Sequence, residues 1–299
     1  MSDTSPLIDP VSASTDAISE IANRLVDRLA GYGPVAVAFS GGVDSAVVAK
    51  AAVLALGDRC VAVTAVSPSL AESDRKLAVQ TARELSIRHV EFSTNEFDRV
   101  EYRANAGNRC FYCKDTLYSL TAARLQQLQV GGIVNGANVD DLGDHRPGMM
   151  AAREHHVRSP LIEEGIDKAT VRALARYWQL DVAEKPASPC LASRIAYGVE
   201  VTAERVARVE KAEAFLRDLV GNVELRVRCE PNEIARIEIP LDQLHRLTTP
   251  DCRGQVTTCL RSLGFRAVTL DLDGFRSGNL NDALPLVQLQ TGRVENREA

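Results

Sequence analysis

The stretch Val35-Ala-Val-Ala-Phe-Ser-Gly-Gly-Val-Asp-Ser45 decides the fold. Its first five residues form an apolar run that reads as a strand buried on both faces, and the amphipathic stretch Asp44–Leu56 reads as the helix that follows. Between them lies Ser40-Gly41-Gly42-Val43-Asp44-Ser45. Two glycines let backbone N–H groups approach an anion closely, Ser40 and Ser45 add hydroxyl donors, and the helix start aligns peptide dipoles toward phosphate. Asp44 would repel that phosphate unless a cation came with it. The order differs from G-x-x-x-x-G-K-[ST] and from the G-x-G-x-x-G of dinucleotide folds.

Working outward, Cys60–Val66 reads as a strand, Ala71–Leu85 as a helix, His89–Ser93 as a strand, Phe111–Leu128 as a helix and Gly132–Asn135 as a strand. Strands alternating with helices predict an α/β fold, a parallel sheet with helices on both faces and its ligand at the carboxyl ends of the strands. In Asp167–Leu180, Val171, Leu174 and Trp178 recur at helical spacing as one core-facing stripe. Lys185-Pro-Ala-Ser-Pro-Cys190 breaks the periodicity with two prolines. A second pattern begins near Thr202, which caps a helix to Val220. Strands Val223–Cys229 and Ile234–Ile239, a helix over Gln255–Leu263 and a strand Ala267–Leu272 complete a small α+β unit. The expected organisation is a loose tail over residues 1–14, a nucleotide-binding domain over 15–195, a small domain for substrate binding and oligomer contacts over 196–287, and a second tail over 288–299.

The 299 residues are 45% hydrophobic and 25% charged, which excludes disorder and fibrous repeats. With 35 Lys and Arg against 40 Asp and Glu, the net charge of −5 has the wrong sign for a protein holding long stretches of nucleic acid. The start, MSDTSPLIDPVSAST, has no basic n-region and no apolar h-region, and no apolar run approaches the ~20 residues of a membrane span. A cytoplasmic protein without a nucleic-acid or membrane partner is expected.

Seven cysteines in such a chain point to metal, redox or catalytic use, or to buried thiols, before disulfides. Cys110-Phe-Tyr-Cys113 opens a helix, where thiolate is favoured. Cys190 sits in the proline-flanked loop, and the three cysteines together would leave a metal or cluster with one open position. They suit a zinc completed by His155 or His156, or a [4Fe-4S] cluster with a free iron. Alternatively, Cys190 acts as a lone nucleophile with the pair as its redox partner. Cys60, Cys229, Cys252 and Cys259 read as structural.

Ser40–Ser45 resembles the pyrophosphate loop, or PP-loop, of the adenine nucleotide alpha hydrolase-like superfamily, to which GMP, NAD and asparagine synthetases and tRNA thiolation enzymes belong. That resemblance implies ATP cleavage between the α and β phosphates, with AMP passed to an acceptor oxygen that nitrogen or sulfur then displaces. Within the superfamily, Asn108-Arg-Cys-Phe-Tyr-Cys-Lys114, Gly136-Ala-Asn-Val-Asp-Asp-Leu-Gly-Asp-His-Arg-Pro-Gly148, Ser159-Pro-Leu161, Lys185-Pro-Ala-Ser-Pro-Cys-Leu-Ala-Ser-Arg194 and Glu224-Leu-Arg-Val-Arg228 resemble the LarE-type sulfur transferases. The similarity runs from about Leu25 to Asn281. One departure is His145, where tyrosine is expected before Arg-Pro-Gly.

The LarE resemblance implies sulfur insertion in nickel-pincer nucleotide synthesis: pyridinium-3,5-biscarboxylic acid mononucleotide is adenylated by ATP, and sulfur displaces AMP to give a thiocarboxylate, twice over. In one branch of the family a single cysteine is sacrificed; in another, three cysteines hold a [4Fe-4S] cluster carrying an extra sulfide. Cys190 matches the sacrificial position, but Cys110 and Cys113 favour the cluster reading. The resemblance further implies that Ser40, Gly41, Gly42, Asp44 and Ser45 bind ATP with Mg²⁺, Asp44 organising the metal. Lys114 and Arg146 would offset phosphate charge, and Arg226 and Arg228, on one face of a strand, would grip the substrate phosphate. Asp140, Asp141 and Asp144 crowd near the nucleotide without an assigned role. A homo-oligomer, with a hexamer as candidate, and an unidentified sulfide donor complete the expectations. A PP-loop tRNA thiolase is the nearest rival, disfavoured by the acidic charge.

Overall fold

β1 (Val35–Ala38) is buried along its whole length and is the strand around which the first part of the chain is wound. The computed structural model describes residues 10–143, 147–186, 188–221 and 223–276. Before β1 comes α1 (Pro10–Tyr32), and after it α2 (Val43–Leu56), β2 (Cys60–Val66), α3 (Glu72–Glu84) and β3 (Arg88–Ser93). The chain continues through α4 (Val100–Arg103), α5 (Arg109–Ala122) and α6 (Leu125–Leu128) to β4 (Gly132–Val134), then α7 (Pro147–Glu154), α8 (Pro160–Glu163) and α9 (Lys168–Tyr177). It divides into two units. The first holds the chain up to Val66, Glu72–Thr94 and Lys114–Ser188; the second holds Ser67–Ala71, Asn95–Cys113 and the chain from Pro189 onward.

In the first unit the four strands run parallel in the order β3-β2-β1-β4, with Val35 in register with both Cys60 and Gly132. A strand with neighbours on both sides and helices on both faces reads as a continuous apolar run, which is what Val35–Phe39 is. From β1 the chain winds out to β2 and β3, then returns to β4 on the other side. The segments leaving β1 and β4 therefore diverge, and the crevice between their carboxyl ends is where such sheets take ligands.

Against the amphipathic reading of Asp44–Leu56, α2 is buried almost all round, at Val43, Ser45–Ala49, Ala51, Ala52 and Leu56, because helices pack on it as well as the sheet. Its alanines let α1 and α9 pack against it. Asp167 caps α9 by accepting from the Thr170 N–H at 2.8 Å, a contact that contributes about 1 kcal/mol. Trp178 packs on the same core.

Several boundaries differ from the sequence reading: α9 ends at Tyr177 rather than Leu180, the strand expected from Val223 begins at Arg226, and the helix expected from Gln255 begins at Pro250. α1 begins at Pro10, so residues 10–14, expected in the tail, are helical. Proline suits the first turn because its absent N–H is one the helix leaves unbonded. The rest of that tail, and the tail over 288–299, lie outside the described residues. The helix expected over Phe111–Leu128 begins at Arg109 and is two pieces, α5 and α6; between them the Arg124 guanidinium turns back onto the Leu120 carbonyl at 3.0 Å.

In the second unit, α10 (Ala203–Val220) precedes β5 (Arg226–Glu230), β6 (Ile234–Glu238), α11 (Leu244–Thr248), α12 (Pro250–Ser262) and β7 (Ala267–Leu270). β6 is central, antiparallel to β5 and parallel to β7. Thr202 caps α10, accepting from the Arg205 N–H at 3.2 Å. The core joins Val206, Val209, Leu216, Val227, Ile237 and Leu260 to Tyr102, Leu191 and Ile195. Among the described residues no helix is long and apolar enough to cross a membrane.

Candidate active site

The phosphate loop leaves β1 at the carboxyl edge of the sheet. The Ser45 hydroxyl, nearly buried, donates to the Gly42 carbonyl at 3.0 Å and lies 3.3 Å from the Ser40 N–H and from the Ser40 hydroxyl, so the loop is tied to itself. Gly41 takes φ 70°, and a Cβ there would stand 2.7 Å from the Ala78 Cα of α3. A Cβ on Gly136, just after β4, would meet the Ser45 nitrogen at 2.8 Å. These glycines let α3 and the post-β4 segment press against the loop.

Beneath the loop, the Thr64 hydroxyl donates to the Phe39 carbonyl at 2.8 Å and lies 2.8 Å from His89 Nε2. Since the hydroxyl has one proton and spends it on Phe39, Nε2 is the donor to Thr64. Burial lowers the His89 pKa from its ordinary value, with the Glu91 charge opposing.

Asp44, in the first turn of α2, takes the Lys168 ammonium at 2.5 Å on one oxygen and the Asn138 amide at 3.0 Å on the other. Asn138 is fixed by a capping box in which Asp141 accepts its N–H at 3.0 Å. Asp140 accepts the Lys168 backbone N–H at 2.9 Å. The acidic crowd after β4 thus has an observed role, because Asp140 and Asp141 fix the two residues that hold Asp44. Asp144, His145 and Arg146 lie outside the described residues. Lys168 was missed in the sequence, although a signal was present: a lysine opening a helix opposes the helix dipole, which asks for a reason.

α3 carries a second contact. Its Asp74, 18% exposed, accepts from the Lys185 ammonium at 3.0 Å and the Ser188 hydroxyl at 2.8 Å, anchoring the stretch that leads to Cys190. Lys114, half-buried, lies in α5 within the first unit.

Cys110, Cys113 and Cys190 all belong to the second unit, with Arg226 and Arg228. Cys110 and Cys190 are exposed and Cys113 is half-buried. Cys190 opens a short 3-10 turn, Leu191–Arg194. Arg194 Nη1 donates back to the Cys190 carbonyl at 3.1 Å and to that of Pro189, while its Nε meets Glu213 at 3.0 Å in a pair only 4% and 1% exposed. The buried Tyr102 hydroxyl lies 2.6 Å from the Ser69 hydroxyl. Burial, above all, pushes its phenol upward, with the Ser69 hydrogen bond and the Arg109 charge opposing. By contrast, burial pushes the Cys60 and Cys229 thiols up to about 11.

The paired arginines differ. Arg228 is committed to Glu238 through Nη2 at 2.8 Å and Nε at 3.0 Å, and to the Ser193 carbonyl at 3.0 Å. Arg226 is equally buried, but its ion pair is 3.9 Å long, to the exposed Glu224, and its guanidinium lies over the Phe275 ring. Burial first, then repulsion from Arg194, lower its pKa, with Glu213 opposing. Among the described residues its ion pair is the long one to Glu224, and a desolvated cation so weakly paired meets the condition under which an anion binds well.

Among the described residues no three His, Cys, Asp or Glu side chains converge on one metal ion. The closed zinc site is therefore not assembled there, and His155 is held by Asp115 at 2.8 Å in the first unit. For magnesium, one carboxylate at a phosphate loop fits, since that ion keeps waters and takes the rest of its shell from phosphate oxygens. For an iron–sulfur cubane the donors fit in kind: three thiolates in one unit, each of which would bind a separate iron and so stand farther apart than ligands of a single ion.

Residues 17–115 match the family model described as NAD synthase. The chain is 43% identical to an uncharacterized protein of Synechocystis, over 83% of this chain and 92% of that one. It is 38% identical to the pyridinium-3,5-bisthiocarboxylic acid mononucleotide synthase of Lactiplantibacillus plantarum, over 89% of this chain and 96% of that enzyme. An uncharacterized protein of Methanocaldococcus jannaschii is 26% identical over 81% and 91%.

Proposed function

Since the chain belongs to the family of the pyridinium-3,5-bisthiocarboxylic acid mononucleotide synthase, we propose that it is an ATP-dependent sulfur transferase making that bisthiocarboxylic product from pyridinium-3,5-biscarboxylic acid mononucleotide. The observation that carries the reading is the phosphate loop with Asp44 held between Lys168 and Asn138 at the crevice of the parallel sheet.

The backbone of Ser40, Gly41, Gly42 and Ser45 and the start of α2 seat the triphosphate. Mg²⁺ held at Asp44 would neutralise charge on the phosphates. A substrate carboxylate oxygen attacks the α-phosphorus; the bond from that phosphorus to the β-bridging oxygen breaks, and pyrophosphate leaves with the electron pair. Lys168, Lys114 and Arg146 are assigned to offset the charge that develops there. A sulfur nucleophile then attacks the acyl carbon, and AMP leaves with the electron pair of the carbon–oxygen bond. Arg226 binds the substrate phosphate, with Arg228 adding its charge from within its Glu238 pair.

For the sulfur, a [4Fe-4S] cluster on Cys110, Cys113 and Cys190 would supply a terminal sulfide from its open iron. Cys190 stays accessible while Ser69 and Arg194 hold its turn. The second reading, Cys190 itself as the sacrificed donor, draws on the same exposure. Self-association into a homo-oligomer, a cytoplasmic location and an external sulfide donor belong to the same proposal.

The test is anaerobic incubation with ATP, Mg²⁺ and the biscarboxylic mononucleotide, following AMP, pyrophosphate and thiocarboxylate. Formation of all three by the wild type, and of none by Asp44→Ala, is expected; turnover retained in that variant sinks the assignment. About four irons per chain, lost on replacing any of the three cysteines, support the cluster; absence of iron, with Cys190 losing its sulfur after one reaction, supports sacrifice.

A further inference from the structure

Asn105 is fully buried, with φ 53°, five residues before Cys110. Its carboxamide N–H₂ donates to the carbonyls of Ile195 at 3.2 Å, Ala196 at 2.8 Å and Val199 at 3.1 Å, the segment just past the Cys190 turn. Its carboxamide oxygen accepts from the guanidinium of Arg109, the buried residue immediately before Cys110. The backbones zip together at the same place, with the Gly198 N–H donating to the Asn105 carbonyl at 3.2 Å and the Val201 N–H to the Arg103 carbonyl at 2.9 Å. On the other side of the Cys190 turn, the Leu191 N–H donates to the Ser69 carbonyl at 2.9 Å, and the hydroxyl of Ser69 meets Tyr102.

We propose that Asn105 is a positioning residue that fixes the spacing between the chain segment carrying Cys110 and Cys113 and the segment carrying Cys190. One side chain serves both segments. Its amide hydrogens take the three carbonyls of one, and its oxygen takes the arginine at the foot of the helix that opens the other. Asparagine suits the task because it tolerates the left-handed conformation and offers donor and acceptor on one short stem. Aspartate would turn an oxygen toward three carbonyl oxygens, and glycine would keep the backbone but make none of these bonds. None of these bonds uses a thiol, and Cys110 and Cys190 are exposed.

The inference rests on the reading that the three cysteines work as a set, and its test separates the two. Asn105→Gly and, as a second variant that leaves the bonds to residues 195–199 in place, Arg109→Met are prepared with the wild type. Each is treated with a short bismaleimide, and the linked peptides are identified by mass spectrometry. Iron, acid-labile sulfide and the visible spectrum are read on parallel anaerobic samples. The wild type is expected to link Cys190 to Cys110 or Cys113. Both variants should keep the circular dichroism of the fold and ATP-dependent pyrophosphate release within twofold, while that cross-link drops at least fivefold and the iron content drops with it. Wild-type cross-linking in folded variants overturns the staple. If Asn105→Gly does not fold, Arg109→Met decides by the same reading. A wild type without iron whose cross-link still depends on Asn105 refutes the cluster and leaves the staple standing.

Discussion

Lys168 Nζ lies 2.5 Å from Asp44 Oδ2, so the carboxylate of the phosphate loop is neutralised from inside the protein. A Mg²⁺ at this loop would be held by Asp44 and would share that carboxylate with Lys168, whose ammonium would add its charge beside the phosphates. Lys168→Ala should lower pyrophosphate release roughly 100-fold, the scale of losing one preorganised group at developing charge. Pre-steady-state measurement of AMP formation checks this, and a change confined to KM for ATP would leave Lys168 only as a holder of Asp44.

Asp74 clamps the stretch before Cys190 through Lys185 and Ser188. Asp74→Ala should leave pyrophosphate release near the wild-type rate and slow thiocarboxylate formation about tenfold, the cost of a lost orientation. Equal loss in both steps would refer Asp74 to the folding of α3 instead.

Gly136 and Gly41 stand against backbone that a flexible side chain cannot vacate. Gly136→Ala should raise KM for ATP, because the phosphate loop itself must shift, and lower stability by about 1–3 kcal/mol. Gly41→Ala adds the strain of φ 70° and should do worse. Thermal unfolding with ATP titration reads both.

His89 gives a pH dependence. Its folded pKa lies below the unfolded value of about 6.5 because burial disfavours the charged ring. The unfolded chain therefore binds the proton more readily. The stability that neutral His89 contributes is complete above that value and is lost as pH falls from it toward the folded pKa. His89→Gln should flatten the fall in melting temperature over that acidic range; an unchanged slope would assign the effect elsewhere.

Arg226 and Arg228 should part company on mutation. Arg226→Ala is expected to raise KM for the mononucleotide with little change in folding. Arg228→Ala removes the two-toothed partner of the buried Glu238, which keeps Arg236 at 2.8 Å, and should cost about 1–3 kcal/mol. Denaturant melts set beside substrate titrations distinguish the two.

The sheet was legible because parallel strands buried on both faces leave unbroken apolar runs such as Val35–Phe39, and the phosphate loop because its glycines and hydroxyls are contiguous. Lys168, Asn138 and Asp74 were not read as site residues. Each meets its partner across long stretches of chain, and a single lysine or asparagine has no periodicity to betray it. The long helix over Phe111–Leu128 breaks at residues 123 and 124, where neither glycine nor proline marks the turn in the sequence. Arg226 and Arg228 look alike in sequence; only the cross-strand register, which sets Arg226 opposite Glu238 and Arg228 opposite Arg236, with Glu238 reaching diagonally to Arg228, tells them apart.

Burial of Cys60 and Cys229 sorts the thiols of this chain into reporters and bystanders. A buried sulfur whose proton is held more tightly than usual is shielded from alkylating dyes, whereas Cys190 and Cys110 are exposed to them. In a chain with the half-buried Cys252 and Cys259 replaced by serine, a fluorescent maleimide thus becomes a gauge of the working cysteines: signal withheld signifies sulfur already engaged or spent, and the core thiols add no background.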